Sequence, residues 1–170
     1  MAVEVYVWLP ARVTNHATGE VTENIGHASI KIGSDYLSFW PTSVRFDLTG
    51  LFPVQSAFNN YSEDVKSEGG VPDHTISLKN LNENEMTVFY NRMISVRPAY
   101  WARGFNCAGP VKVALYHGSG GKSPNFKVVA DRRIYDLPQI GTKEMDEWAR
   151  QCWTPYDVYR YAEYLRRAIG

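Results

Sequence analysis

Polar and apolar positions alternate most cleanly near the N-terminus. Val3, Val5 and Val7 alternate with Glu4, Tyr6 and Trp8, which predicts a strand over Val3 to Leu9 that Pro10 ends. Residues 11–25 are rich in Asn, Thr, Gly and Glu and read as a loop. In the following GHASIKIG, His27, Ser29 and Lys31 alternate with Ala28, Ile30 and Ile32. Gly33-Ser34-Asp35 is turn chemistry, and YLSFW is a second strand stopped by Pro41, so the two runs predict a β-hairpin. Residues 42–73 carry Gly, Pro, Ser and Asn and read as a long, irregular excursion. HTISLKNL then has the look of a strand.

Helical spacing takes over downstream. Asn82 is placed to cap a helix whose apolar positions are Met86, Phe89, Tyr90 and Met93, with Pro98 beyond its end. NCAGPVKVALYHG predicts a second helix. Pro110 belongs near a helix start, where its missing N–H leaves no bond unmade, and Gly118 is a natural stop. Residues 118–126 are rich in Gly and Ser, and a short helix is expected over residues 142–152. The last helix has the clearest signals: Thr154 as cap, Pro155 first in, and a stripe of Val158, Tyr161, Ala162 and Leu165. Arg166 and Arg167 lie in its last turn, where cations suit the helix dipole.

Composition narrows the class. The chain has 170 residues, 44% hydrophobic and 14% aromatic, which suits one globular domain over 1–170 with a real core. Eighteen basic residues balance eighteen acidic ones, so no net field draws in nucleic acid or an anionic membrane. The N-terminal MAVEVYVWLPARVTN lacks the basic and long apolar regions of a signal peptide. No run approaches the roughly 18 apolar residues of a membrane span. The expectation is a protein made in the cytoplasm, with any export taking a signal-independent route, and without stable membrane insertion. The two cysteines, Cys107 and Cys152, are too few for a disulfide framework. A single Cys107–Cys152 bridge stays open at this level, and it would preclude a nucleophilic Cys107.

The chemistry concentrates on Cys107 and His27. A thiol attacks as thiolate, and a helix N-terminus together with an imidazole favours that form. Pro110 puts a helix start within a few residues of Cys107. The N–H groups there, that of Cys107 included, suit an oxyanion hole. Asn106 is a candidate cap or side-chain donor at the same place. Against this, most single cysteines in helices are small buried hydrophobes. His27 opens a strand between Gly26 and Ala28, small neighbours that permit close approach, and shares its face with Ser29 and Lys31. A satisfied structural histidine is the plainer alternative. A base needs an orienting group, and Ser38 on the second strand of the hairpin is the candidate, the alternative being a solvated serine. His16, His74 and His117 read as structural or solvated. His117, ten residues from Cys107, lies nearly three turns away. Glu83 and Glu85 at a helix start read as dipole partners, and the Asp131–Arg133 cluster as solvated surface. Zinc-ligand spacing and phosphate-binding glycine loops are missing, so no metal or cofactor is expected. Tyr6, Trp8, Trp40 and Trp101 suit either a cleft or the core.

GHASIKIGSDYLSFWP and NCAGPVKVAL together resemble the two signature blocks of permuted NlpC/P60-type proteins, part of the papain-like superfamily. There the histidine block precedes the cysteine block. The closing WTPYDVYRYAEYL resembles the end of bacterial type VI secretion effectors of that group, which attack peptidoglycan. The resemblance covers less than half the chain. It implies an α+β fold with an antiparallel sheet packed on the nucleophile helix, Cys107 as nucleophile, His27 as base and Ser38 as orienter. Many relatives have His, Asn or Gln where Ser38 stands. The implied activity is a cysteine amidase or endopeptidase acting on peptidoglycan peptide in a target-cell periplasm, with an immunity protein and a secretion apparatus as partners. The alternatives are a protease, deamidase or acyltransferase acting on host protein or lipid, and a non-catalytic binding module.

Overall fold

The computed structural model describes residues 3–14, 21–42, 53–102, 104–122 and 152–170. Within them the chain is α+β. Strands β1 (Val3–Trp8), β4 (His27–Ile32), β5 (Asp35–Pro41), β6 (Ser56–Phe58) and β7 (His74–Leu78) form an antiparallel sheet in the order β6-β5-β4-β1-β7. Four helices accompany it: α1 (Tyr61–Glu68), α2 (Glu83–Val96), α3 (Ala108–Gly118) and α4 (Pro155–Ile169).

The period of two sorts the sheet into an apolar and a polar face. Val3, Val5 and Val7 on β1, Ala28, Ile30 and Ile32 on β4, and Leu37 and Phe39 on β5 are buried. They join Met86, Phe89 and Met93 of α2, Val111 and Leu115 of α3, and Val158, Tyr161 and Leu165 of α4 in one core. The β4–β5 hairpin turns at Gly33, whose φ of 59° suits glycine. Its register sets Ser29 opposite Ser38.

Two loop expectations are corrected. Residues 11–25, read as a loop, contain the hairpin β2 (Ala11–Thr14) and β3 (Val21–Asn24). Residues 42–73, read as irregular, contain β6 and α1. Polar strands and a polar helix carry no apolar period, so the pattern gave no sign of them. The expected helix over 142–152 and the 131–133 cluster lie outside the described residues, as does His16. Asn82 does cap α2, accepting from the Glu85 N–H at 3.3 Å. Thr154 and Asp157 form a reciprocal capping box at α4, with Pro155 in its first turn. Cys107 and Cys152 form no disulfide.

Candidate functional site

His27 is the first residue of β4, paired with Trp8 at the end of β1. Gly26 before it has φ 78°, and a Cβ there would meet the Trp8 carbonyl oxygen at 2.5 Å. Only glycine permits this approach of the two backbones. The His27 ring stacks on Trp40 with centroids 4.4 Å apart, and Trp8 flanks it at 5.7 Å. His27 as a whole is 1% exposed.

A buried imidazole needs partners for both nitrogens. His27 Nε2 lies 2.9 Å from Ser38 Oγ and 3.3 Å from Asp64 Oδ2. Ser38 Oγ donates its one proton to Asp64 Oδ1 at 2.8 Å. Ser38 therefore accepts from Nε2–H, and that tautomer leaves Nδ1 as the accepting nitrogen, with the Cys107 side chain near enough to shift the ring's pKa. Cys107 sits at the N-terminus of α3 with a 4% exposed side chain. The structure thus brings together all three residues singled out as catalytic, Cys107, His27 and Ser38.

It adds Asp64, which the sequence reading missed. Asp64 is the one buried residue of α1 and is fully covered. Tyr36 donates to Oδ2 at 2.7 Å, and Trp40 Nε1 reaches Oδ1 at 2.8 Å. Ser29 supports Tyr36 through a 2.6 Å hydroxyl contact. Ser29, Tyr36, Ser38 and Trp40 all occupy the polar face of the hairpin, so the alternation that builds the sheet also builds this carboxylate's cradle. The helix signals around Asp64 were in the sequence. Asn60 caps α1 in a reciprocal box with Glu63, and Gly69 ends it at φ 77°. The box locates the helix; the role of Asp64 within it had no sequence signature.

Electrostatics follow from the geometry. Burial alone would lower the His27 pKa, but the Asp64 hydrogen bond and then the Cys107 hydrogen bond outweigh it and push it up to about 9. Burial alone would raise Asp64, but the hydrogen bond and charge of His27, then Tyr36 and Ser38, hold its carboxyl below the usual carboxylate range. The arrangement favours a charged imidazolium clamped on a carboxylate, with the Cys107 side chain near it. It can hold a proton at His27 and return it across Nδ1.

Asn106, expected as a cap or an oxyanion donor, stands one residue before Cys107, which holds the N-cap position of α3 without a side-chain cap bond. Its Oδ1 accepts from the Ala108 N–H at 3.0 Å, which ties off the start of α3. Its amide hydrogens go to the Trp153 carbonyl at 2.8 Å and the Ala102 carbonyl at 3.1 Å, with Cys152 Sγ 3.7 Å away. Both hydrogens are committed to the fold. Tyr100, which sequence reasoning passed over, hydrogen-bonds both the backbone and the side chain of Cys107. It is 3% exposed, and an antiparallel bridge to Val54 fixes its backbone. Trp8 and Trp40 wall the imidazole, whereas Tyr6 joins Tyr36 and Tyr61 in an aromatic cluster beside it. Trp101 is buried. His74 stacks on Tyr159 and His117 on Phe89.

Among the described residues no group of three or more His, Cys, Asp or Glu is placed to hold a metal ion. None of their helices is long and apolar enough to cross a membrane. No family model, curated protein or solved structure matches the chain.

Proposed function

We propose that the chain is a cysteine hydrolase of the permuted papain-like kind, cleaving amide bonds by acyl transfer through Cys107. One observation carries this reading: a buried imidazole that is held by a Ser38–Asp64 pair and has the side chain of a helix-start cysteine among the groups that raise its pKa. A purely structural histidine would be satisfied by a carbonyl and a hydroxyl. Here three elements, β4, α1 and α3, each contribute one member of a Cys-His-acid series.

In this mechanism His27 takes the thiol proton on Nδ1, and the sulfur attacks the amide carbonyl. The oxyanion is met by the Cys107 N–H, whose partner at rest is the Tyr100 hydroxyl, since the Ala108 and Gly109 N–H groups are held by Asn106. His27 then protonates the leaving amine. Water, activated by the same nitrogen, releases the acyl group and restores the thiol. Ser38 and Asp64 are positioning residues that keep the proton on Nε2. Cys107 is 4% exposed, so little of it is offered to a substrate. That same burial favours a second reading, a binding module that keeps the fold without turnover.

The favoured substrate is bacterial peptidoglycan peptide reached from the periplasmic side, with an immunity protein and a secretion apparatus as partners. It rests on the two signature blocks. Two measurements test the proposal. Iodoacetamide should label Cys107 at pH 6 at least tenfold faster than free cysteine, and a rate equal to the free thiol favours the binding module. Wild type bearing a periplasmic signal should lyse bacteria, and Cys107→Ala should not. Toxicity confined to cytosolic expression would exclude the wall as target.

A further inference from the structure

A cavity of about 530 Å³ opens beside the end of β5. Thr42, Gln55, Ser56 and Arg97 give it polar walls, and Val54 and Ala99 give it apolar ones. One of its walls leads to the candidate site. Ser56 pairs with Pro41 at the end of β5, on the sheet face opposite that of Trp40 and His27. Val54 forms, and Ala99 adjoins, the backbone bridge, 2.8 Å in both directions, that holds Tyr100 beside Cys107.

Among the described residues the lining has one charged group, the exposed Arg97, and no carboxylate. Ser56 is 8% exposed, and its hydroxyl is buried with no hydrogen-bond partner among the described residues. A native fold rarely leaves such a donor unused. Arg97 also holds a conformation that glycine or asparagine takes more easily, φ 47° and ψ 63°, while its N–H caps α2. The residue at this left-handed cap, directly before Pro98, is also the one cation lining the cavity among the described residues.

We infer that this cavity is a specificity subsite for a carboxylate on a short aliphatic stem of the substrate, with Arg97 as counter-ion and Ser56 as hydrogen-bond donor. The inference rests on Cys107 and His27 being the reacting pair, since that makes the bound carboxylate part of the substrate. Guanidinium suits carboxylate through its paired N–H groups, and the Val54 and Ala99 walls suit methylenes.

The test is equilibrium binding to the full chain carrying Cys107→Ala, so that turnover plays no part. Three probes are used: an acetylated and amidated Ala-Glu-Ala peptide, its Ala-Gln-Ala isostere, and the Gln peptide with a free C-terminal carboxylate. At least one carboxylate peptide should bind about tenfold more tightly than the neutral one. Which one does so separates a side-chain from a terminal carboxylate. Arg97→Gln should abolish the preference, and Ser56→Ala should weaken it about threefold. Arg97→Gly guards against a folding artefact: it relieves the left-handed cap, so its thermal midpoint should be no lower while the preference still disappears. Equal affinity for charged and neutral peptides, no measurable binding of any of them, or a preference that survives Arg97→Gly would overturn the inference. A slow thiol with the carboxylate preference intact would remove the catalytic reading and leave the cavity as a binding site.

Discussion

Helices α1 and α4 begin alike and serve different ends. Each opens on a reciprocal capping box, Asn60 with Glu63 and Thr154 with Asp157. Helix α4 then buries Val158, Tyr161, Ala162 and Leu165 in the core, whereas α1 buries Asp64 and nothing apolar. Packing stabilises α4. By contrast, α1 is anchored by its cap, its left-handed Gly69 end, and the bonds its carboxylate makes to Tyr36, Ser38 and the histidine. A helix can thus be held in place by the polar group it delivers, and its mean exposure is then a poor guide to its importance.

Removing Asp64 should do the most damage, since the buried imidazole and the donors around it all lose their acceptor. Asp64→Ala is expected to cost about 3–5 kcal/mol in urea unfolding at pH 7. Asp64→Asn keeps the volume and should cost less, about 1–3 kcal/mol. If Asp64→Ala costs under ~1 kcal/mol, α1 is merely docked there and the contrast with α4 fails.

On the apolar side, Leu165→Ala should cost about 2–4 kcal/mol by opening a cavity, with no change in the pH dependence of stability. A pH dependence altered by Leu165→Ala would mean the two helices are not energetically separable.

The pH profile itself carries the smallest and most diagnostic effect. Folding raises the His27 pKa from its ordinary 6.5 to about 9. Its contribution is therefore complete below pH 6.5 and is lost as pH climbs through 9. Folding lowers the Asp64 pKa below its ordinary 3.8. Its contribution is therefore present above pH 3.8 and is lost as the pH falls below that. Stability should be highest between these limits and decline by on the order of 2 kcal/mol from pH 7 to pH 10. In His27→Gln the alkaline decline should shrink to a small residue. A wild-type profile flat to pH 10 would contradict the imidazolium–carboxylate clamp.

These contrasts also explain what was legible in the sequence. The β4–β5 hairpin, α3 and α4 were readable because their burial is periodic, and His27, Ser38 and Cys107 were readable because they stand at fixed places on those elements. Helix α1 has no apolar period, so Asp64 looked like any solvated acid. The β2–β3 hairpin failed for the same reason, since Arg12, Thr14, Thr22 and Glu23 give no alternation to follow. Asn106 showed its place but not its allegiance. Its bond to the Ala108 N–H lies within two residues, whereas its amide spans 47 residues to Trp153, a distance no local pattern encodes.

That long reach has a consequence for how the protein comes into being. His27, Ser38, Asp64 and Cys107 all leave the ribosome well before Trp153, and the amide of Asn106 waits for that late carbonyl. A nascent chain therefore carries every polar group of the site while the seat of its thiol is still unlatched.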